Sequence, residues 1–516
     1  MKKLKKAVTL LAALTMSVSA FVACGGGNGG NQGNPNEVQI YYWNSGYRLE
    51  FMKKIVNDFN ASQTTYKAIL DSSQDAAPII KTLELGDSNP YDLYFTMLNT
   101  SQYNKQFIKL DDVLDSKADG ENVTIREKYY DYLLNGVKNA DGTTNFLTYG
   151  NGWCSIVYDA DVIDGVKYKV PNTTDELETL VTALEGDDKK AWLFYNDKYN
   201  NGYLNYALFG WEAQYDGIDY YNNNMLALKD ADGNTPSKEV FLAKDGRYEA
   251  LKVFEKVITP YNSHSDCTST SFTKVQTQYL KGEAVLTING SWLMNESTGT
   301  KDNFVMMKLP VISSIVNKLE DKSMSDATLS KIVAEIDEGK ESSELCSAGD
   351  YARIKEARNV MYNNAAEQYV FIPEYSNAKE GAKAFLKYFY SDKGTKTFME
   401  TVKLPSAVKL ADESLFDDSK LSAWNKAQFG FSKELTAVTN TMTKSPVFTN
   451  ASTTQLANLF FCQALIASNP NDYKGADALW DQLTGTINKN WNDWSKGTRT
   501  DRILGYRSLG NDVNSG

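Results

Sequence analysis

Aromatic residues stand beside small polar residues at several points of the sequence, and this pairing suits a ligand rich in hydroxyl groups. A sugar presents apolar C–H faces that pack on aromatic rings, and hydroxyl edges that exchange hydrogen bonds with amide and hydroxyl side chains. The chain contains 31 Tyr and 9 Trp, so it can supply many such rings. The candidate ligand-binding residues are Trp43, Asn44, Ser45, Asn99, Tyr149, Asn151, Trp153, Asn201, Tyr203, Trp211, Asn289, Ser291 and Trp292.

Three tryptophans, Trp153, Trp211 and Trp292, are the strongest candidates for stacking against a sugar ring. Each also has a structural alternative, because a tryptophan at the edge of a strand is more often a core or rim residue. Trp211 falls within a predicted helix, where the alternative is a core position. The candidate asparagines have an alternative as turn or capping residues.

Sequence patterns for metal-dependent or nucleophilic catalysis are incomplete or absent. The single histidine, His264, rules out an HExxH zinc site, and any Ser-His-Asp triad would have to use it. The sequence has no P-loop and no GxSxG motif, and the S-x-x-K matches at 376–379 and 406–409 lack their KTG and SDN partners. We therefore predict no catalytic residue, no cofactor and no metal. A glycan-acting enzyme stays open as an alternative, since its chemistry needs only two of the 65 acidic residues.

The overall charge limits the classes of partner. The formal net charge is −11, and removal of residues 1–23, which carry four lysines and no acids, would leave −15. Binding to nucleic acid requires clustered Lys and Arg, so we exclude it, and a membrane link would have to be covalent. The four cysteines after Cys24 have no CxxC spacing and are expected to be single thiols, with disulfide pairing left open: Cys154, Cys267, Cys346 and Cys462.

The N-terminus has the pattern of a secretion signal. Residues 2–6 are basic, residues 7–23 are almost wholly apolar, and Cys24 follows directly. The segment 21–24 resembles a bacterial lipobox, although Phe21 stands where a leucine is usual, and the Gly-rich stretch 25–35 suits a flexible tether. We expect lipidation at Cys24 and anchoring on the extracytoplasmic face of the cell membrane. Cleavage after Ala20 without a lipid, or retention as a short membrane span, are the alternatives.

Strands and helices alternate along the first part of the chain. Apolar β-rich runs predict strands at 38–43, 66–71 and 91–98, and helical periodicity predicts helices at 48–60 and 76–86. This rhythm indicates an α/β domain with a largely parallel sheet. Farther along we predict a hairpin at 137–150, a strand from 155, a helix with Thr174 as its N-cap, helices at 202–212, 376–400 and 472–494, and a charged helical insertion at 313–362.

Five segments, in this order, resemble the maltose-binding type of family 1 extracellular solute-binding proteins. They are YYWNSGYRLEFMKKIVNDFN (41–60), NPYDLYFTMLN (89–99), residues 141–163, KGEAVLTINGSWLMNE (281–296) and residues 376–409. The resemblance implies a periplasmic-binding-protein-like fold (type II) of two α/β lobes, with a ligand cleft between them and hinge crossovers. It also places a stacking aromatic residue at Trp292. The family pattern has an aromatic residue at the end of the third strand, where this chain has Thr96 and Met97, so maltose is not the expected ligand.

The resemblance further implies a domain order and a function. The first lobe is expected at 37–150 plus about 365–408, the second at 151–312 plus 409–500, and a polar tail at 501–516. Crossovers are expected near 148–153, between 362 and 376, and near Leu404. The implied function is capture of a carbohydrate, most simply an oligosaccharide, by a monomeric receptor that passes it to the permease subunits of an ABC importer. The alternatives are a secreted glycan-acting enzyme and a receptor for peptides.

Overall fold

The computed structural model describes residues 34–44, 46–73, 89–97, 106–139, 142–195, 203–225, 228–268, 271–296, 303–364, 368–439 and 474–495. Several predicted features lie outside these ranges, namely the secretion signal with Cys24, the helix at 76–86, and the candidate residues Ser45, Asn99 and Asn201. Within the described ranges, no helix is long and apolar enough to cross a membrane. The cysteines Cys154, Cys267 and Cys346 are free thiols.

The described strands are β1 (Glu37–Trp43), β2 (Lys67–Ser73), β3 (Leu93–Met97), β4 (Leu147–Thr148), β5 (Trp153–Asp159), β6 (Leu286–Gly290), β7 (Phe304–Met306), β8 (Val360–Asn363), β9 (Gln368–Phe371) and β10 (Thr436–Val438). The helices are α1 (Glu50–Ser62), α2 (Asp111–Leu114), α3 (Ile125–Lys128), α4 (Asp131–Val137), α5 (Thr174–Gly186), α6 (Leu204–Asp216), α7 (Ile218–Tyr220), α8 (Glu239–Leu242), α9 (Gly246–Val257), α10 (Phe272–Leu280), α11 (Leu293–Glu296), α12 (Asp326–Asp337), α13 (Ala348–Arg358), α14 (Lys379–Phe389), α15 (Asp392–Val402), α16 (Ala423–Glu434) and α17 (Ala476–Trp494). Short 3-10 or π turns occupy Tyr221–Met225, Ser265–Thr268, Ser313–Lys318, Glu413–Leu415 and Asp418–Lys420.

The first lobe is built on a sheet with the strand order β2-β1-β3-β9-β4. Strand β1 runs parallel to β2 and β3, whereas β9 runs antiparallel to both β3 and β4. Alternate residues of β1, Val38, Ile40 and Tyr42, face a core that α1, α14 and α15 cover. The helical spacing of apolar residues in α1 buries one stripe of that helix against the sheet, as the sequence predicted.

The second lobe is built on a sheet with the strand order β10-β8-β5-β6, and β7 also pairs with β5. The pairs that β5 makes with β6, β7 and β8 are antiparallel, whereas β10 runs parallel to β8, so this sheet is mixed. Helix α6 crosses the lobe as a central element, because Leu204, Leu208 and Trp211 are all buried in its core. The two sheets and their covering helices form the α/β two-lobe architecture that the sequence predicted.

The chain crosses between the lobes at places that the strand order defines. The first crossing joins β4 to β5 through Gly150, Asn151 and Gly152, and the second lies between β8 and β9. The third crossing lies later in the chain than the predicted position near Leu404. Leu410 and Leu421 still pack in the first-lobe core, and α16 then contributes Phe429 to that core and Phe431 to the other. The boundary near residue 408 therefore moves to α16, since the apolar residues after 408 complete the first-lobe core.

Three local features differ from the sequence-based expectations. The range 313–362 contains α12 and α13 but ends in strand β8, because Val360–Tyr362 are buried and β-favouring residues that pair between β5 and β10. Thr173 caps α5 instead of Thr174, and its hydroxyl oxygen accepts a hydrogen bond from the Glu176 amide. In the described part of 137–150, Asn139 exchanges backbone hydrogen bonds with Gly142 and Thr143 across the predicted turn, but strand β4 pairs with β9 instead of with the segment before the turn.

Candidate functional site

Five aromatic residues of the second lobe pack against one another, and we call this cluster the aromatic wall. The Tyr206 ring stacks on Tyr362 with 4.8 Å between ring centroids, and it meets Trp292 edge-on at 6.3 Å. The Tyr203 ring lies 5.1 Å from Tyr206 and 5.5 Å from Phe272. The indole Nε1 of Trp292 donates a hydrogen bond to the Tyr203 hydroxyl at 3.3 Å. The wall therefore consists of Tyr203, Tyr206, Phe272, Trp292 and Tyr362.

The aromatic wall draws on four separate elements of the second lobe. Tyr203 and Tyr206 lie one helical turn apart at the start of α6, so that both rings project from the same side. Tyr362 comes from β8, and Phe272 begins α10. Trp292 lies two residues after the end of β6, and its six-membered ring lies against Gly290, where any side chain would overlap it. Glycine at 290 is therefore required for the indole to fold back over its own strand.

The first lobe contacts the second at the aromatic wall. A Cβ atom placed on Gly46 would lie 2.5 Å from the Cβ of Trp292 and 2.9 Å from Oε1 of Glu296. Next to this contact, Arg48 Nε donates to the Asn295 carbonyl at 2.7 Å, and the Asn295 side chain donates to the Val402 carbonyl at 3.2 Å. These contacts leave Trp292 8% exposed, whereas Tyr203 and Tyr206 are half-buried.

A tyrosine of the first lobe lies at the base of this junction. The Tyr47 ring packs between Tyr149 and Phe398, and it approaches Gly150 so closely that a Cβ there would be 2.5 Å away. The Tyr47 hydroxyl is buried and finds no hydrogen-bond partner among the described residues. Burial raises the Tyr47 pKa well above its ordinary value, and the nearby Tyr149 and Cys154 add to the rise.

Several buried oxygen atoms near the wall and the crossings also lack partners among the residues that the structure describes. They are Asn205 Oδ1 on α6, Ser155 Oγ on β5, Ser291 Oγ beside Trp292, and Asn364 Oδ1 at the second crossing. Ser155 pairs in register with Asn289, whose side-chain oxygen accepts a hydrogen bond from the Gly290 amide at 2.7 Å. Buried polar atoms are normally satisfied, so each of these atoms is a candidate to bind water or a ligand.

Two predicted binding residues, Asn151 and Trp153, lie fully buried in a hydrogen-bond network at the first crossing. Asn151 Nδ2 donates to the Tyr132 hydroxyl at 2.8 Å and to Ser432 Oγ at 3.1 Å. The Trp153 indole Nε1 donates to the same Ser432 Oγ at 2.9 Å. This arrangement ties the first crossing to α16 and gives both residues a structural role in joining the lobes.

The other described candidates lie in different surroundings. Trp211 is fully buried, and its Nε1 donates to the Pro310 carbonyl at 3.0 Å, so it occupies the core position that was its alternative. Tyr149 is also fully buried, and its hydroxyl donates to Gln368 Oε1 at 2.6 Å. Trp43 packs against the first-lobe aromatic cluster around Phe371, and the Asn44 amide donates to the Ser73 carbonyl at 2.9 Å. Of the predicted set, the structure brings together Tyr203, Asn289, Ser291 and Trp292.

The sequence did not predict five further residues at or next to the contact between the lobes, namely Tyr47, Tyr206, Tyr362, Asn205 and Glu296. Tyr206 had a detectable signal, since it follows Tyr203 at helical spacing with Asn205 between them. Tyr362 had no such signal, because it falls in the range 313–362, which the sequence predicted to be a helical insertion. The described residues contain no group of three or more His, Cys, Asp or Glu side chains placed to hold a metal ion.

Glu296 is the carboxylate of this junction. Its pKa is raised to about 7 because burial disfavours the charged form, while a hydrogen bond from Gln276 opposes the rise. Burial also raises the pKa of Tyr203 well above its ordinary value, and the proximity of Glu296 adds to the rise. The site therefore combines rings, neutral oxygen acceptors and one weakly acidic carboxyl group.

Comparison with solved structures identifies proteins of the same fold. The bacterial solute receptor AcbH aligns with a TM-score of 0.60 at 10% identity, covering 89% of this chain and 100% of that chain. A chitin oligosaccharide binding protein aligns with a TM-score of 0.58 at 12% identity, covering 89% and 100%. RafE from Streptococcus pneumoniae aligns with a TM-score of 0.54 at 15% identity, covering 89% and 99%. No family model and no curated protein sequence matches the chain.

Proposed function

We propose that this protein, which has the two-lobe fold of the solute receptors described above, captures a carbohydrate outside the cytoplasm for an ABC importer. The observation that carries the proposal is the aromatic wall with its neighbouring unpartnered oxygen atoms, at the place where the lobes meet. Rings and neutral acceptors in this combination match the two kinds of surface that a sugar presents. The extent of the wall, five rings from four elements, favours an oligosaccharide over a single sugar unit.

Separation of the lobes would uncover the binding surface. Gly46 of the first lobe lies against Trp292, so an opening motion at the crossings would remove this cover and expose the indole. Tyr203 and Tyr206 already keep part of their surface accessible. We propose that a sugar ring packs on these side chains, and that Asn205, Ser291 and Tyr47 exchange hydrogen bonds with its hydroxyl groups.

The proteins of similar fold support a carbohydrate as the cargo. AcbH prefers β-D-galactopyranose, RafE has been observed in complex with raffinose, and another neighbour binds chitin oligosaccharides. Their ligands differ from one another while the fold stays the same, so the fold favours the class of ligand without selecting one sugar.

A binding role is favoured over catalysis by the composition of the proposed site. Hydrolysis of a glycosidic bond generally requires two carboxyl groups placed across the bond. The residues that we assign to the site include one carboxyl group, that of Glu296. We therefore propose a receptor without enzymatic activity, and peptide binding is the second alternative that an experiment has to separate.

We further propose that the mature protein begins at Cys24, carries acyl chains there, and works as a monomer at the membrane surface together with permease subunits. The lipobox-like segment 21–24 and the Gly-rich stretch 25–35 support this location. Mass spectrometry of the N-terminus would test it. An unmodified terminus after Ala20 would overturn the anchor.

The binding proposal is tested by titrating the purified protein with raffinose, maltose, galactose, chitin oligosaccharides and a peptide mixture. Tryptophan fluorescence reports binding, and chromatography of the same samples reports any product. We expect saturable binding of at least one sugar without turnover. Hydrolysis of a glycan would favour the enzyme, and a response to peptides alone would favour the peptide receptor.

Variants test whether the aromatic wall is the site. We expect Trp292→Ala to weaken sugar binding at least roughly tenfold, because loss of aromatic stacking and polar placement costs more than about 1.4 kcal/mol. Trp491→Ala is the matched control, since Trp491 is a half-buried tryptophan on α17 outside the wall. Unchanged affinity in a folded Trp292→Ala protein would refute this location of the site.

A further inference from the structure

Glu296 occupies a position from which its carboxylate can reach a ligand on the aromatic wall. It ends α11, and its backbone amide donates to the Trp292 carbonyl at 3.2 Å, so one helical turn separates the two residues. The same turn brings Oε1 of Glu296 against Gly46 of the first lobe, 2.9 Å from where a Cβ would stand. The carboxylate therefore lies beside the indole and at the boundary between the lobes.

Among the described residues, the carboxylate of Glu296 has one hydrogen-bond partner, which binds one of its two oxygens. Its Oε2 accepts a hydrogen bond from Gln276 Nε2 at 2.8 Å. Among the described residues no Lys or Arg forms an ion pair with it, although Arg48 binds the carbonyl of the neighbouring Asn295. The phenol of Tyr203 is the other ionisable group that faces it. Among the described residues, no hydrogen-bond donor binds the oxygen Oε1.

The carboxylate of Glu296 lies beside residues of both lobes. The residue keeps exposed surface, and yet burial raises its pKa to about 7. A carboxylate on an open surface would be fully hydrated and would keep an ordinary pKa. Gly46 of the first lobe and Gln276 of the second lie against the carboxylate, in agreement with partial burial of Glu296.

We infer that Glu296 contacts the ligand directly and makes the site select sugars that donate hydrogen bonds without carrying negative charge. A carboxylate accepts hydrogen bonds and cannot donate them when ionised, so hydroxyl groups suit it and a second carboxylate is repelled. This inference rests on the proposed function, since it concerns the specificity of the same site. It assigns the chain to neutral carbohydrates and excludes uronic acids and phosphorylated sugars.

The experiment compares wild type, Glu296→Gln and the control Glu185→Gln, which removes the same charge from an exposed position at the end of α5. The probe is the neutral sugar that binds wild type most tightly among raffinose, maltose and chitin oligosaccharides. Each isomer of that sugar in which one hydroxymethyl group has been oxidised to a carboxylate serves as the acidic counterpart. Calorimetry gives the affinity of each protein at pH 5.5 and at pH 8.5.

We expect Glu296→Gln to bind the neutral sugar about five- to tenfold more weakly than wild type at pH 8.5, since a charge-assisted hydrogen bond becomes a neutral one. Wild type should bind the sugar more tightly at pH 8.5 than at pH 5.5, and the variant should lose this dependence. We also compare the ratio of the affinity for the neutral sugar to the affinity for each acidic isomer. For at least one isomer, this ratio should be at least tenfold smaller in Glu296→Gln than in wild type. Glu185→Gln should match wild type throughout.

Three results would overturn the inference. The first is a Glu296→Gln protein whose affinity and preference equal those of wild type, which leaves the carbohydrate receptor intact and removes only this role. The second is weaker binding with an unchanged pH dependence and an unchanged preference, which indicates a structural role alone. The third is the absence of binding of any sugar to wild type, which removes the proposed function together with this inference.

Discussion

The side-chain amide of Asn363 donates a hydrogen bond to the side-chain oxygen of Asn151 at 2.6 Å. The two residues belong to the two neighbouring segments that cross between the lobes, because Asn151 precedes β5 and Asn363 ends β8. The Asn364 amide also donates to the Gly152 carbonyl at 2.8 Å. The crossings are therefore joined to each other as well as to α16, and they can bend as one unit.

Replacement of Asn151 by alanine should destabilise the protein by about 2–3 kcal/mol. The change would leave the Tyr132 hydroxyl, Ser432 Oγ and the Asn363 amide with fewer partners in a fully buried position, and each unsatisfied group is costly. Urea unfolding followed by circular dichroism measures the loss. Asn223→Ala, at an exposed position, is the control and should change stability little. A similar stability for both variants would show that the network contributes nothing.

Replacement of Gly46 by alanine should prevent the lobes from meeting as they do in this structure. The new Cβ would lie 2.5 Å from the Trp292 Cβ, and both atoms belong to packed segments that cannot shift easily. We expect a larger radius of gyration by small-angle X-ray scattering, a red-shifted tryptophan emission and a sugar affinity at least about fivefold weaker.

The control for Gly46→Ala is Gly485→Ala on α17, where an added Cβ meets open space. This variant should keep the radius of gyration and the affinity of wild type. If Gly46→Ala also keeps both values, contact between Gly46 and Trp292 has no part in holding the lobes together.

Replacement of Tyr47 by phenylalanine separates a structural role from a ligand-binding role. The hydroxyl group is buried without a partner among the described residues, so its removal should leave stability unchanged or raise it by up to about 1 kcal/mol. If the hydroxyl binds the sugar, affinity should fall about three- to tenfold. Thermal unfolding and calorimetry measure the two quantities. Tyr261→Phe, at a residue that is 68% exposed, should change neither, and an unaltered affinity in Tyr47→Phe would remove Tyr47 from the site.

Local periodicity predicted the elements, because an amphipathic helix or strand shows its buried side in its own sequence. Helix α1 and strand β1 were predicted within two residues of their observed bounds for this reason. Strand β8 was missed because it is short, fully buried and preceded by two charged helices, so its sequence has no alternation of its own. The late third crossing was missed because it depends on which core accepts Leu410 and Leu421, and that is decided by distant residues.

The candidate site was predicted in part, for a similar reason. The segment 281–296 pointed to Asn289, Ser291 and Trp292, which lie in one short stretch of chain. A tryptophan alone cannot be assigned, since Trp211 in the core and Trp292 at the lobe junction differ only in their tertiary neighbours. Gly46 and Glu296 are 250 positions apart in sequence, and nothing in either segment indicates that they meet.

A pH-dependent stability is expected from the buried carboxyl group of Asp216 at the end of α6. Its pKa is raised from 3.8 to about 8, first by burial and then by Glu212 and Asp245, while the Gly246 amide and Lys318 oppose the rise. The folded protein therefore holds a proton between about pH 4 and pH 8 that the unfolded chain has released. Because the folded state binds more protons in this range, stability falls as the pH rises through it and levels off above about pH 8.

Asp216→Asn should remove much of this dependence. The amide oxygen can still accept the hydrogen bond from the Gly246 amide, which Asp216 accepts at 2.9 Å, and no charge is then buried. We expect the variant to be more stable than wild type by about 2 kcal/mol at pH 8.5 and nearly equal to it at pH 4. Denaturant unfolding across this pH range measures the effect. Glu296 contributes with the same sign up to about pH 7, so a smaller slope should persist. The exposed Asp219→Asn should follow the wild-type profile, and an Asp216→Asn profile parallel to wild type would show that Asp216 keeps an ordinary pKa.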